Sequence, residues 1–146
     1  MTILEPSLAV PRPTVARAHG RVLIVEDDAL NMKLFTAMVG SLGYDVLQAG
    51  DGRAALDLAH QQHPDLIIMD LQLPEISGLE VTHSLKADSD TSSIPIICTT
   101  AYALYGTEEK IRESGCDGYM AKPIALTEFL ELIESLMTRS LRAHVA

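Results

Sequence analysis

At 146 residues, with 47% hydrophobic and 21% charged residues, the chain has the size and balance of one globular domain. Without Trp, and with only 4% aromatic residues, its core must be built from aliphatic side chains. A net charge of -9 and a pI near 4.8 exclude a nucleic-acid footprint, because phosphate backbones repel an acidic surface.

Residues 1–20 mix Pro6, Pro11 and Pro13 with Ala, Thr and Arg and show no helical or strand periodicity, which predicts a disordered tail. The prolines break its apolar stretch and no early basic cluster precedes it, so neither a signal peptide nor a membrane span is expected. Residues 21–139, with eight Lys or Arg against nineteen Asp or Glu, read as the folded domain, and 140–146 as a C-terminal tail. Cys98 and Cys116 form no CxxC pair and no His stands at metal-ligand spacing. That pattern suits a reducing cytosol, and a cytoplasmic protein is expected.

From Arg21 onward, short apolar runs alternate with amphipathic stretches, the pattern of β/α units around a buried parallel sheet. The strands are expected at Val22–Val25, Asp45–Ala49, Leu66–Met69, Ile94–Thr99 and Tyr119–Ala121. The first, third and fourth are nearly continuous aliphatic runs and should be central. Between them, Phe35, Met38, Val39 and Leu42 recur at helical spacing, as do Leu126, Phe129, Leu130, Ile133 and Leu136, and both stripes should face the core. Asp28 reads as the N-cap of a helix beginning near Ala29. His60 and His63, spaced i, i+3, read as surface residues at a solvated helix end.

The chemistry gathers at the carboxyl ends of the strands, where open α/β sheets bind ligands. Glu26, Asp27 and Asp28 follow the first strand, Asp70 the third, Thr99 and Thr100 the fourth, and Lys122 and Pro123 the fifth. Acidic side chains crowded there repel one another unless a cation screens them, and hard oxygen ligands without His or Cys favour Mg²⁺. Phosphoryl transfer asks for an in-line nucleophile and positive charge against the phosphoryl oxygens. Asp70 supplies the nucleophile, Lys122 the charge and Thr100 a hydroxyl donor, while the small Ala101 leaves room for an incoming phosphohistidine.

The stretches VLIVEDDALNMKLF, LIIMDLQLPEISGLE, PIICTTAYA and GCDGYMAKPI resemble, in order, the four signature segments of two-component response-regulator receiver domains. The likeness covers residues 21–139 and is greatest to the DivK group of single-domain, cell-cycle response regulators. It implies a flavodoxin-like (CheY-like) (βα)5 fold, doubly wound, with a five-stranded parallel sheet in the order 2-1-3-4-5. It also implies that Glu26 and Asp27 form the acidic metal pair, that Asp70 is the phosphorylation site and metal ligand, and that Gln72 binds metal through its backbone carbonyl. Lys122 becomes the phosphate-binding lysine and Thr100 and Tyr119 the switch pair, with Ala101, Gln72 and Tyr102 governing access to the pocket. Glu26 stands where many receivers have Asp, and its longer arm would reach the ion through water.

The resemblance implies a Mg²⁺-dependent signalling switch, not an enzyme. A sensor histidine kinase or phosphatase would act on it, and its α4-β5-α5 face would bind kinases, phosphatases or adaptors in cell-cycle control, with recruitment to a cell pole. A monomer or weak phosphorylation-dependent homodimer is implied, without nucleic acid or membrane. A phosphorelay shuttle to a histidine phosphotransferase uses the same pocket. Two other classes compete: a phosphorylation-independent scaffold, and an aspartate-nucleophile phosphohydrolase. By resemblance the phosphohydrolase needs a second acid where Gln72 stands.

Overall fold

The computed structural model describes residues 20–101 and 107–145. Five strands, β1 Arg21–Val25, β2 Asp45–Ala49, β3 Leu66–Asp70, β4 Ile96–Thr100 and β5 Gly118–Ala121, alternate with five helices. The helices are α1 Ala29–Ser41, α2 Gly52–Gln62, α3 Gly78–Ala87, α4 Thr107–Glu113 and α5 Leu126–Val145. All four strand pairings are parallel, in the order β2-β1-β3-β4-β5. This is the doubly wound, flavodoxin-like sheet that the sequence leads one to expect, with the three aliphatic strands in the middle.

Strand alternation sorts the core into two layers. Val22, Ile24, Leu66, Ile68 and Ile97 meet Phe35 and Val39 of α1 and Phe129, Ile133 and Met137 of α5. Leu23, Val25, Ile67, Met69, Ile96 and Cys98 meet Ala55 and Ala59 of α2, Val81 and Leu85 of α3, and Ile111 of α4. The side chains of β3 and β4 are buried along their whole length, whereas β2 and β5, at the sheet edges, are mostly half-buried. Continuing the alternation, Glu26 follows Val22 and Ile24, and Asp70 follows Leu66 and Ile68. Both carboxylates therefore leave the sheet on the α1 and α5 side.

Local chemistry sets the helix starts. Asp28 accepts a hydrogen bond from Asn31 N at 2.8 Å, the cap expected of it, and Asp51 accepts one from Ala54 N at 2.8 Å. Ser77 and Glu80 form a reciprocal capping box at α3. The next residue, Gly78, lies so close beneath the end of β3 that a Cβ there would stand 2.1 Å from the Asp70 carbonyl oxygen. Only glycine permits that approach, which fixes the turn carrying Asp70.

Some of the sequence reading changes by more than a single residue at a strand end. The fourth strand begins at Ile96 because Pro95 has no N–H for the ladder, and Ile94 instead closes the preceding turn by donating to Thr91 O at 3.0 Å. Leu126, expected to face the core, is 52% exposed, since the first turn of α5 stands beyond the rim of the sheet. Residues 140–145, read as a tail, continue α5, with Ser140 buried and Leu141 packed on the core. Apart from Gly20, which is buried and accepts a hydrogen bond from Asp45 N, the N-terminal tail expectation lies outside the described residues.

The two histidines are exposed but engaged. His60 Nε2 lies 2.9 Å from Asp88 and its Nδ1 2.9 Å from Leu56 O, while His63 Nε2 lies 3.2 Å from Asp90. Asp117 joins three elements: its Oδ2 accepts from Ile96 N and pairs with Lys86 Nζ, both at 2.8 Å, and its Oδ1 meets Arg139 at 3.1 Å. Among the described residues no helix is long and apolar enough to cross a membrane.

Candidate functional site

The carboxyl ends of β1, β3, β4 and β5 bring four of the predicted groups together. Lys122 Nζ lies 3.1 Å from Glu26 Oε1 and 3.5 Å from Asp70 Oδ1. Glu26 and Asp70 are each only 3% exposed, whereas Asp27 opens to solvent. The Lys122 ammonium also stands 6.0 Å from the centroid of the Phe35 ring, so α1 forms one wall of the site.

One oxygen from each of Glu26, Asp27 and Asp70 lies within 4.8 Å of the others, close enough to share one ion. The donors are hard carboxylate oxygens, which suits Mg²⁺ better than a thiophilic metal. Burial, and then the neighbouring Asp70, push the Glu26 carboxyl above the usual carboxylate range, while Lys122 opposes the shift. A divalent cation relieves that repulsion, so the residues present fit the ion that the sequence implies.

Beside the carboxylates, Gln72 makes a three-way junction. Its backbone N–H donates to Asp70 Oδ1 at 3.0 Å, its side-chain Nε2 donates to Thr100 Oγ1 at 3.0 Å, and its Oε1 accepts from Ala101 N at 2.9 Å. Thr100 is buried and Ala101 exposed at the rim. Asp28 donates its backbone N–H to Glu26 Oε2 at 3.3 Å and otherwise serves as the α1 cap. Tyr102 lies outside the described residues.

Tyr119 is placed differently. It is half-buried on β5 opposite Cys98, and a hydrogen bond to Glu108 of α4 raises its phenol above the ordinary range. Its side chain thus lies beside α4 rather than in the acidic cluster. It shares a cavity of about 210 Å³ with Ile111, Arg112, Cys116 and Asp117.

A groove of about 460 Å³ runs from Lys122 between α1 and the start of α5, lined by Leu34, Phe35, Met38, Pro123, Ile124 and Leu126. Among the described residues, Leu30, Leu34 and Leu126 are the exposed large apolar ones, at 65%, 53% and 52%. The sequence signal for this surface was present in Leu30 and Leu34, which fall off the Phe35/Val39 stripe. The bridge made by Gln72 had no local signal, because its partners lie 28 and 29 residues away.

Comparison with known proteins agrees with this geometry. The model of the response regulator receiver domain matches residues 22–134. A polar-differentiation response regulator DivK of Brucella ovis is 52% identical over 116 residues, covering 80% of this chain and 94% of that protein. The receiver domain of the Pseudomonas aeruginosa sensor histidine kinase PA1611 superposes with a TM-score of 0.76 at 34% identity, over 82% of this chain and 98% of that one. Its structure has a magnesium ion coordinated in the active-site cleft. A CheY-like receiver protein from Methanospirillum hungatei, at 23% identity, shares the fold with a TM-score of 0.77 over 85% of this chain and 98% of its own. The chain belongs to the response-regulator receiver family of two-component signalling proteins.

Proposed function

We propose that the chain is a phosphoryl-accepting switch in which Asp70 receives a phosphoryl group from a phosphohistidine of a sensor histidine kinase. The observation that carries this reading is the single ammonium of Lys122 set between Glu26 at 3.1 Å and Asp70 at 3.5 Å. A lysine placed between an acceptor and a metal-binding carboxylate can follow negative charge arriving on either. The Asp70 carboxylate attacks phosphorus, the P–N bond to the donor imidazole breaks, and an acyl phosphate forms as the imidazole leaves. Lys122 and the Thr100 hydroxyl hold the phosphoryl oxygens, and Glu26, Asp27, Asp70 and the Gln72 backbone carbonyl would hold Mg²⁺, which would supply further positive charge there.

The apolar groove beside Lys122 supports docking of the kinase segment that bears the donor histidine, with Leu34 and Leu126 exposed where an amphipathic helix would lie. Tyr119, which lines one cavity with Glu108 and Ile111 of α4, supports the α4-β5-α5 face as the surface that partners read. Movement of Thr100 toward the phosphate changes how Tyr119 packs beside α4. Kinases, phosphatases, a histidine phosphotransferase or an adaptor recognise the altered face. Control of polar differentiation is the setting that the name of the DivK relatives suggests, and a cytoplasmic switch recruited to a cell pole by its partners suits that setting.

Incubation with Mg²⁺ and a small acyl phosphate tests the reading without a kinase. The wild type gains one phosphoryl group by intact mass and Asp70→Ala gains none. Equal labelling of both proteins, or of neither, would reject it.

A further inference from the structure

Gln72 contacts the acceptor with its backbone and the end of β4 with its side chain. Its amide oxygen takes the Ala101 N–H at 2.9 Å and its amide nitrogen donates to the Thr100 hydroxyl oxygen at 3.0 Å, while its own N–H lies 3.0 Å from Asp70 Oδ1. The Ala101 N–H has one proton to give, and it is committed to a neutral acceptor. A phosphoryl group on Asp70 would bring charged oxygens to the same corner, and charged acceptors make shorter, stronger bonds to N–H and O–H donors than an amide oxygen does. The amide oxygen and the phosphoryl oxygens compete for the Ala101 N–H, and the same amide fixes Thr100, whose oxygen accepts from Gln72 Nε2.

We propose that Gln72 is a latch: its side-chain amide holds Thr100 and Ala101 in the unphosphorylated arrangement, and a phosphoryl group on Asp70 must displace it before β4 can respond. The inference rests on Asp70 being the acceptor and adds what sets the threshold of the switch. With the latch closed, the end of β4 is tied to the β3–α3 turn, which Gly78 packs tightly against Asp70. Once the amide is displaced, Thr100 and Ala101 can turn toward the phosphate, and α4 senses the change. Gln72 is therefore a positioning residue, acting through Thr100 and Ala101. Its length matters because it must reach both.

The test uses the full chain as wild type, Gln72→Ala and Gln72→Met, titrated with beryllofluoride in Mg²⁺ and followed by amide NMR. Met keeps the length of the side chain and has neither polar atom, so it separates hydrogen bonding from bulk. The latch predicts that both variants bind beryllofluoride about fivefold more tightly than wild type, the worth of roughly one net hydrogen bond. It also predicts that, before any ligand is added, their α4 amides shift toward the positions of the beryllofluoride-bound wild type. Wild-type affinity in both variants with unmoved α4 amides would overturn the latch, as would Met behaving like Gln while Ala does not. A wild type that shows no beryllofluoride-dependent change around Asp70 would remove the acceptor reading and the latch with it.

Discussion

Replacing Lys122 by Met removes the charge at the centre of the site and keeps most of the aliphatic stem beside Phe35. The ammonium lies 3.1 Å from Glu26 and 3.5 Å from Asp70, and at an effective dielectric near 20 each contact has a gross attraction of about 5 kcal/mol. Most of that is offset by the desolvation of three charged groups, so the sum of the attractions does not give the loss. What decides it is the state left behind: two carboxylates, each only 3% exposed, with no counter-charge. Stranding buried charge in this way typically lowers stability by ~3–5 kcal/mol. Proton uptake limits the loss, because the Glu26 carboxyl, already raised by burial and by Asp70, rises further without the ammonium. Urea denaturation in chelator, with a constant slope against denaturant, measures the change. Adding Glu26→Gln to Lys122→Met removes one stranded carboxylate and recovers part of the stability, giving a coupling of about 1–3 kcal/mol in the double-mutant cycle. A loss below about 1 kcal/mol for Lys122→Met, with no coupling to Glu26, would place the lysine among ordinary solvent-exposed pairs and refute the reasoning.

Three further outcomes follow from the fold. Gly78→Ala drives a methyl group against the Asp70 carbonyl oxygen and lowers stability by about 3 kcal/mol, read by urea melts, with reduced phosphoryl uptake as the turn shifts. Asp117→Ala leaves the Ile96 N–H without its acceptor and Lys86 without its carboxylate, and the same melts should show a loss of about 2 kcal/mol. For His60, the Asp88 carboxylate and then the Leu56 carbonyl favour the imidazolium, so its pKa lies above the ordinary value. This contribution to stability is present in full below about pH 6.5 and is lost as pH rises through the folded value. NMR titration of His60 checks the sign, and Asp88→Asn should lower the pKa.

The parts of the fold that were legible are those encoded locally. The aliphatic runs at Val22–Val25 and Leu66–Met69 leave no solvent face, so they had to be central, and Asp28 before an apolar helix reads directly as a cap. Pro95 inside an apolar run was read as strand, although its missing N–H delays the ladder until Ile96. Leu126 was assigned to the core from helical spacing, but spacing fixes only the face of a helix and not where the sheet beneath it ends. The meeting of Glu26, Asp27, Asp70 and Lys122 was legible because each follows an apolar strand, and strand ends of a parallel sheet share one rim. The contacts of Gln72 with Thr100, of His60 with Asp88 and of Asp117 with Lys86 were not, since each joins residues at least 28 apart through turns whose geometry no local pattern states.

The most direct test of the central claim is to locate the phosphoryl group chemically. After incubation with Mg²⁺ and a small acyl phosphate, borohydride reduction converts an aspartyl phosphate to homoserine, and peptide mapping finds the converted residue. The account predicts homoserine at position 70 alone. Conversion at Asp27, at any other carboxylate, or nowhere in a protein that has taken up phosphate would contradict it.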